Sequence, residues 1–157
     1  MLRLSLPGPE ATDAFAQRLA AALLRVGEAP WALAFEGGLG AGKSHLIRAL
    51  LRALGVQGAV PSPSYSLLEL YPDAALSAAH MDWYRLADPL ELEMLDWADM
   101  RATTALVLVE WAQRIPEQAA DFDLRLSLKT EGQGRRLLLE PLSPKSMHLV
   151  TEIQKTP

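Results

Sequence analysis

The chain has 157 residues, of which half are hydrophobic and 22% charged, a balance typical of a globular domain and not of a disordered or fibrous protein. It contains no cysteine, which excludes a disulfide framework, a thiolate zinc site and a cysteine nucleophile. The net charge of −4 and the isoelectric point near 5.4 argue against a broad basic face for nucleic acid, so any role near RNA is expected to run through a partner.

The sequence shows no pattern of a membrane protein or of an exported one. No apolar stretch approaches the roughly 20 residues that cross a bilayer. The segment from Met1 to Leu6 leads directly into Pro7-Gly8-Pro9 without the apolar core of a signal peptide. We therefore expect a cytoplasmic protein without membrane contact.

The first elements predicted along the chain are a strand, a helix and a second strand. Leu2 to Leu6 alternates in the manner of an edge strand, which Pro7-Gly8-Pro9 ends. A helix is expected next, with Pro9 in its first turn and Gly27 after its end. The apolar run from Trp31 to Glu36 then predicts the first central strand.

A phosphate-binding pattern follows this strand. Gly37 to Ser44, GGLGAGKS, fits G-x-x-x-x-G-K-[ST], and a helix is predicted from Lys43 to about Leu54. The glycines let backbone N–H groups surround a polyphosphate, and the helix start adds free donors and a positive dipole end. Lys43 supplies a charge for the outer phosphates, and the Ser44 hydroxyl is placed to bind magnesium. The pattern predicts a nucleotide site but no particular reaction.

The segment after this helix cannot be helical, because it holds Pro61 and Pro63. It is predicted to be a hydroxyl-rich loop. Its residues Ser62, Ser64 and Tyr65 either form a switch-like segment that orders around a γ-phosphate and magnesium, or a rigid surface turn.

Two further local elements are predicted downstream of this loop. Leu67 to Tyr71 and Leu76 to Met81 are expected to pair as strands across a tight turn at Pro72-Asp73. Asp88 followed by Pro89 is typical of a helix start, so a helix of two or three turns is expected there.

The second half of the chain adds one central strand and a hairpin. Ala105 to Val109 is apolar throughout, as in a strand buried on both faces of a parallel sheet, and it ends at Glu110-Trp111. Asp123 to Lys129 and Arg135 to Leu139 are predicted to form an antiparallel hairpin.

Together these elements predict an α/β protein with a P-loop NTPase-like three-layer fold, in which antiparallel hairpins extend a mostly parallel central sheet. Residues 1–142 are expected to form a single P-loop ATPase domain. Residues 143–157 show no strong period, so this C-terminal tail is expected to be either mobile or a short appended element.

Two acidic residues follow predicted strands and are candidates for a magnesium site. In open α/β sheets, ligands bind at the carboxyl ends of strands, so Asp82 and Glu110 can both reach the phosphate loop. The alternative for Asp82 is a helix cap or a solvated loop end. Trp111 either stacks on a nucleobase or closes the core, and His80 either orients Asp82 or is a packed polar residue.

These motifs occur together in one known family. The phosphate loop, SPSYSL from Ser62 to Leu67, HMDWYRL from His80 to Leu86 and LVEW from Leu108 to Trp111 resemble the TsaE (YjeE) family, over roughly residues 6–140. The resemblance implies a bacterial P-loop ATPase needed for the threonylcarbamoyladenosine modification next to the anticodon of tRNAs that read codons beginning with A.

The resemblance also implies roles for individual residues. Lys43 would hold the β- and γ-phosphates of ATP, while Ser44 and Glu110 would bind Mg²⁺. Asp82 would act in the Walker B-like region, so that the implied catalytic residues are Lys43, Asp82 and Glu110. Trp111 would lie against the adenine. The residues implied to contact the nucleotide are Gly37, Gly38, Leu39, Gly40, Ala41, Gly42, Lys43, Ser44, His45 and Trp111.

The family acts with two partners, TsaB and TsaD, of which TsaD transfers the threonylcarbamoyl group. The resemblance therefore implies that this chain meets tRNA only through the complex and hydrolyses ATP slowly when alone. Two other functions stay open, a non-catalytic ATP-dependent adaptor and a small-molecule kinase. A kinase needs a basic lid, and the only adjacent arginine pair, Arg135-Arg136, lies in the predicted hairpin.

The sequence departs from the family pattern at several positions. The family usually has an acid at Gly38, threonine at Ser44 and Ser64, and glycine near Asp96. Serine keeps the hydroxyl that binds metal, so the role of Ser44 is retained. No arginine finger is obvious, and Arg85 and Arg114 are the candidates.

Overall fold

One seven-stranded sheet organises the chain, and the computed structural model describes residues 1–63 and 66–156. The strands are β1 (Leu2–Leu6), β2 (Trp31–Glu36), β3 (Leu68–Tyr71), β4 (Ala78–Asp82), β5 (Leu106–Glu110), β6 (Leu124–Glu131) and β7 (Gly134–Pro141). The α-helices are α1 (Pro9–Val26), α2 (Lys43–Ala53), α3 (Pro89–Met94), α4 (Trp97–Thr103) and α5 (Pro144–Lys155). Two 3₁₀ helices, Ala112–Arg114 and Pro116–Asp121, follow β5.

The strand order is β1-β7-β6-β2-β5-β4-β3. The four central strands β6, β2, β5 and β4 run parallel to one another, while β3 is antiparallel at one edge and β7 and β1 are antiparallel at the other. The predicted fold class, a mostly parallel sheet with antiparallel additions, is confirmed. The order places β2 between β5 and β6, so residues that follow either neighbouring strand can contact the loop after β2.

Alternate residues of the central strands enter two separate hydrophobic clusters. Leu33 and Phe35 of β2 join the cluster that contains residues of α1, α2 and α5. Ala32 and Ala34 face the other cluster, which includes Trp83. Since successive side chains of a strand point to opposite faces, one strand supplies both layers. The sheet is therefore covered on both faces, as expected for parallel strands.

Helix α1 has the boundaries and the apolar face that its sequence predicts. Pro9 is its first residue, and Gly27 ends it with a φ of 68°, donating its N–H to the Leu23 carbonyl. Phe15 and Leu19 are fully buried on the same face as Leu23. The helix packs on the sheet beside α2 and orients the turn between β1 and α1 toward the start of α2.

The helix expected after Asp88 is confirmed at its start but is shorter than the two or three turns expected. Asp88 does cap a helix, since its side chain accepts a hydrogen bond from the Leu90 amide, but α3 has only six residues. A second short helix, α4, begins after Asp96, whose φ is 53°. A left-handed residue cannot continue a right-handed helix, and aspartate is one of the few side chains that adopt this conformation readily.

Residues 144–155 form helix α5, so the mobile alternative for the tail is wrong. At its start the Ser143 amide donates to the Ser146 hydroxyl at 3.1 Å, and that hydroxyl donates to the Ser143 carbonyl at 2.7 Å. Leu149 and Ile153 are fully buried in the same cluster as α1, and Arg18 donates to the Ile153 carbonyl at 2.8 Å. The segment thus completes the core on the α1 side of the sheet. In the described part of the chain, no helix combines the length and apolar character needed to cross a bilayer.

Candidate nucleotide site

The phosphate loop lies at the carboxyl end of β2 and leads into α2. Gly42 precedes the helix with a φ of 103°, a left-handed conformation that favours glycine, and no side chain caps the helix start. The first N–H groups of α2 are therefore free to bind an anion. The first residue of the loop, Gly37, packs closely against β6, because a Cβ at this position would lie 2.5 Å from the Leu128 carbonyl oxygen.

Lys43 is buried at the start of α2 and turns back onto its own loop. Its amine donates to the carbonyls of Gly37 and Gly38, at 2.8 Å each, and lies 4.2 Å from the centre of the Trp111 ring. Burial lowers the pKa of Lys43, and the charges of Glu110 and Asp82 oppose this shift. The amine is therefore held between the loop and the two strand-end acids, where a phosphate oxygen can replace a carbonyl as its partner.

Glu110 ends β5 and is almost completely buried. Its Oε1 accepts a 2.8 Å hydrogen bond from the Ser44 hydroxyl, and its Oε2 lies 2.7 Å from Nε2 of His80. Burial acts to raise the pKa of Glu110, but the hydrogen bonds from His80 and Ser44 and the charge of Lys43 outweigh it and hold the pKa below its ordinary value. An ionised carboxylate only accepts hydrogen bonds, so Nε2 of His80 carries the proton.

Asp82 ends the neighbouring strand β4, directly opposite Glu110 in the parallel register. Its Oδ1 accepts a 2.9 Å hydrogen bond from the Tyr84 amide. Burial is the largest effect on its carboxyl and raises the pKa of Asp82; the Tyr84 hydrogen bond opposes this, and the charge of Glu110 adds to it. Asp82 is therefore a buried acid beside the site and not a solvated loop end. His80 contacts Glu110, so the expectation that it orients Asp82 is not what the hydrogen bonds show.

One cleft of about 290 Å³ brings most of the predicted residues together. It is lined by residues 39–45 of the phosphate loop and by Ser62, Asp82, Glu110 and Trp111. Ser64 and Tyr65, the other residues of the predicted switch loop, lie outside the described residues, so that loop stays a prediction. The strand ends, the free amides of α2 and the Lys43 amine thus face one space.

Trp111 borders the acidic side of this cleft. Its backbone has a φ of 60° and its amide donates to the Phe35 carbonyl, which fixes it at the end of β5. Its ring is half-buried and lies 4.8 Å from the ring of Tyr84, besides contacting Lys43. The ring is thus next to the amine expected to hold the outer phosphates, and the expected adenine contact stays a prediction.

A second cleft opens on the other side of the phosphate loop. It is lined by the β1–α1 turn, by Gly42 and His45 of the loop and helix, and by Gln133 and Arg135 of the hairpin. The His45 ring lies 2.9 Å from an oxygen of Asp13 in α1. Because the hairpin and β1 lie across β2 from the strands that carry Asp82 and Glu110, the two clefts flank the loop.

Arg135, which the sequence suggests only as part of an arginine pair in a hairpin, contacts the phosphate loop. Its Nε donates to the Ala41 carbonyl at 2.9 Å and its terminal nitrogen to the Gly40 carbonyl at 3.2 Å. Arg135 is the second residue of β7, and β6, its hairpin partner, pairs with β2. No local pattern indicates this contact, since it depends on that long-range pairing. Of the two finger candidates, Arg114 lies 5.6 Å from the Tyr84 ring.

The chain is similar to proteins of one family over most of its length. The family model described as "Threonylcarbamoyl adenosine biosynthesis protein TsaE" matches residues 6–138. The tRNA threonylcarbamoyladenosine biosynthesis protein TsaE of Haemophilus influenzae is 40% identical over 104 residues, which are 66% of this chain and 66% of that protein. The protein of the same name from Bacillus subtilis is 36% identical over 128 residues, 82% of this chain and 77% of that protein.

A solved structure has the same fold. The crystal structure of YdiB from Bacillus subtilis matches with a TM-score of 0.75 and 26% sequence identity, and the match covers 98% of this chain and 94% of that one. The matched region includes α5, so this helix lies within the shared fold. Together with the sequence matches, this confirms the resemblance inferred from the motifs.

Proposed function

Because this chain belongs to the TsaE family, we propose that it is the ATP-binding and ATP-hydrolysing subunit of the machinery that makes threonylcarbamoyladenosine in tRNA. The modified tRNAs are those that read codons beginning with A. We propose TsaB and TsaD as its partners, with tRNA reached only through their complex, and the cytoplasm as its location.

The observation that carries the proposal is the contact between the phosphate loop and the strand-end acid. The hydroxyl of Ser44, the residue after Lys43, donates a 2.8 Å hydrogen bond to the Glu110 carboxylate. Both are hard oxygen donors of the kind that Mg²⁺ binds together with nucleotide phosphates and water. These residues therefore fit a Mg²⁺–ATP complex, in which the ion would neutralise charge on the β- and γ-phosphates.

The positions of the charged groups also favour one direction for the nucleotide. Lys43, Ser44 and the two acids all line the cleft on the β4–β5 side of the loop, which supports a position of the outer phosphates on that side. The nucleoside then extends toward the hairpin-side cleft, near His45 and Gln133. In this arrangement Trp111 does not contact the adenine. Its ring contacts the Lys43 amine and so helps to position the cation that binds the terminal phosphate.

Hydrolysis would rest on positioning and charge, with Asp82 beside the attacking water. A water oxygen attacks the γ-phosphorus, and the bond from that phosphorus to the β–γ bridging oxygen breaks. A carboxylate with a raised pKa is suited to accept the proton of that water. The described residues that line this cleft include no arginine, so we expect slow turnover until the partner complex supplies or orients one.

The two alternatives are separated by simple variants. A Glu110→Ala or Asp82→Ala protein that binds ATP, does not hydrolyse it and still supports tRNA modification would identify an adaptor. The kinase alternative needs a basic lid, but Arg135 binds loop carbonyls and Arg136 pairs with Glu131. Phosphorylated product in a metabolite screen would revive it.

The decisive experiment is reconstitution with TsaB, TsaD and tRNA, comparing the wild type with Lys43→Ala. We expect the wild type to support many rounds of modification and the variant to lose this ability, because the outer phosphates lose their cation. Unchanged multiple-turnover modification by Lys43→Ala would remove the ATP-dependent role. Rapid ATP hydrolysis by the isolated chain that ignores TsaB and TsaD would contradict the proposed dependence on the complex.

A further inference from the structure

The guanidinium of Arg135 contacts the phosphate loop from outside. It donates to the successive carbonyls of Gly40 and Ala41, at 3.2 and 2.9 Å, and its side chain would lie 3.5 Å from a Cβ on Gly42. A third hydrogen bond, of 2.9 Å, runs to its neighbour Gly134. One side chain therefore spans the segment of the loop that immediately precedes Lys43.

The backbone that carries Arg135 is fixed on both sides. Arg135 pairs with Leu6 of β1 and with Thr130 of β6 in the sheet register. At the adjacent Gly134, a Cβ would lie only 2.4 Å from the Leu6 carbonyl oxygen, so the hairpin approaches β1 more closely than any other residue type allows. Because its base is held in the sheet, the guanidinium is a rigid support and not a mobile surface group.

The contacts determine the direction of a loop amide. The C=O and N–H of one planar trans peptide unit point in opposite directions. Since the Ala41 carbonyl points toward Arg135, the Gly42 N–H of the same unit points away from it, toward the interior of the loop. The preceding unit is held as well, because the Ala41 N–H donates to the Gly38 carbonyl at 3.2 Å. Arg135 thereby aims the Gly42 donor at the space where phosphate oxygens bind.

The charge of Arg135 is not neutralised locally. Within residues 1–63 and 66–156, its hydrogen bonds all go to backbone carbonyls and no carboxylate pairs with it. A cation bonded to the carbonyl end of a peptide unit also polarises the N–H at the other end. The positive potential of the loop is therefore larger than Lys43 and the α2 dipole alone supply.

We propose that Arg135 is a positioning residue for polyphosphate, which holds the loop in its binding conformation and adds positive charge from outside. The inference rests on the proposed binding of ATP. It differs from an arginine finger, because the guanidinium acts through the loop amides and does not touch the transferred phosphoryl group. Its effect is therefore expected on the binding of any polyphosphate, whether or not a nucleoside is attached.

The neighbouring Arg136 provides a matched control. It is an exposed arginine on the same strand, and its guanidinium pairs with Glu131 across the hairpin turn. Removing it changes the net charge by the same amount as removing Arg135 but leaves the loop contacts intact. Any difference between the two variants therefore reports the contacts and position of Arg135.

The test is calorimetric titration of the wild type, Arg135→Ala, Arg135→Lys and Arg136→Ala with ATP and with inorganic tripolyphosphate, both with Mg²⁺. We expect Arg135→Ala to bind both ligands about tenfold more weakly, as loss of a pair of charge-assisted hydrogen bonds implies. Arg135→Lys should recover part of the affinity, because one amine replaces one of two donors. Arg136→Ala should bind like the wild type.

Thermal unfolding without ligand separates this role from a structural one. If Arg135→Ala only lowered the melting temperature, with unchanged affinity for both ligands at a temperature where it is folded, the inference would be overturned. It would also be overturned if ATP binding weakened while tripolyphosphate binding did not. If Arg135→Ala failed to fold, unchanged affinity in Arg135→Lys would overturn it instead. A wild type that bound neither ligand would refute the proposed function itself.

Discussion

Ser44 and Glu110, 66 positions apart in the chain, share a 2.8 Å hydrogen bond between hydroxyl and carboxylate. This bond joins the start of α2 to the end of β5, the two elements proposed to hold the metal. The other carboxylate oxygen of Glu110 is bonded to His80 on β4. Three separate segments of the chain therefore fix one acid, and removing any of its partners leaves a buried charge with less compensation.

The Ser44 hydroxyl should matter for magnesium more than for the nucleotide itself. We expect Ser44→Ala to keep measurable ATP binding without metal but to lose most of the gain in affinity that Mg²⁺ provides, about tenfold or more. Titration of ATP with and without Mg²⁺ measures this gain. Ser44→Thr keeps a hydroxyl and serves as the control; equal loss in both variants would show that the hydroxyl is not the cause.

The two strand-end acids should respond oppositely to neutralisation. The pKa of Asp82 is raised, so its ionised form costs stability at neutral pH, and Asp82→Asn should raise the melting temperature at pH 7 by about 2–4 °C. The pKa of Glu110 is lowered, so its ionised form contributes stability, and Glu110→Gln should lower the melting temperature by a similar amount or more. Both variants should lose ATP hydrolysis.

The pH dependence of these two effects supplies the check. Ionisation of Asp82 lowers the free energy of unfolding of the wild type as pH rises from the ordinary pKa, near 3.8, through the raised folded pKa. The higher melting temperature of Asp82→Asn should therefore disappear in more acidic solution. The contribution of Glu110 is complete above its ordinary pKa, near 4.5, and is lost as pH falls through the lowered folded pKa. Melting temperatures of the variants that shift in the same direction at pH 7 would contradict this assignment.

The proposed direction of the nucleotide predicts which side chains recognise the nucleoside. Gln133→Ala should weaken ATP binding severalfold and leave tripolyphosphate binding unchanged, because Gln133 lines the hairpin-side cleft and not the phosphate cleft. Trp111→Ala should weaken both ligands alike, because its ring holds Lys43. Competition titrations measure both affinities. If Trp111→Ala affected ATP alone while Gln133→Ala bound normally, the adenine would lie against Trp111 and the direction would be reversed.

Helix α5 should contribute strongly to stability although it is remote from the site. Ile153 is fully buried between α5 and α1, so Ile153→Ala should lower the free energy of unfolding by about 2–5 kcal/mol. Met147, on the exposed face of the same helix, is the control, and Met147→Ala should change it by no more than about 0.5 kcal/mol. Urea unfolding measures both; equal effects would mean that α5 does not pack as described.

The sequence predicts the strands, the phosphate loop and the two acids because local rules determine them. A buried strand has a recognisable composition, and an acid at its end must lie at the same edge of the sheet as the loop. Asp82 and Glu110 are therefore placed correctly without knowledge of the strand order. Local sequence also fixes the start and end of α1, through Pro9 and Gly27.

The features that the sequence does not predict depend on distant partners or on a single backbone angle. Arg135 reaches the phosphate loop only because β6 pairs with β2. This pairing joins strands that are far apart in the sequence, so no local pattern predicts it. Helix α5 offers only a short apolar stripe, and its burial depends on α1. The break between α3 and α4 results from the left-handed conformation of Asp96, a single backbone angle that the local pattern does not indicate.

The packing of α5 and β7 against α1 and β1 has a consequence for the order in which the protein forms during synthesis. The first strand, β1, meets its sheet partner only after β7 has been made, and α1, which packs beside α2, is joined by α5 only at the end. A nascent chain that ends before residue 134 therefore carries the complete phosphate loop but lacks the strand that pairs with β1 and the helix that covers α1. The apolar surface that α5 covers would be left exposed, and such surface makes an incomplete chain prone to aggregation.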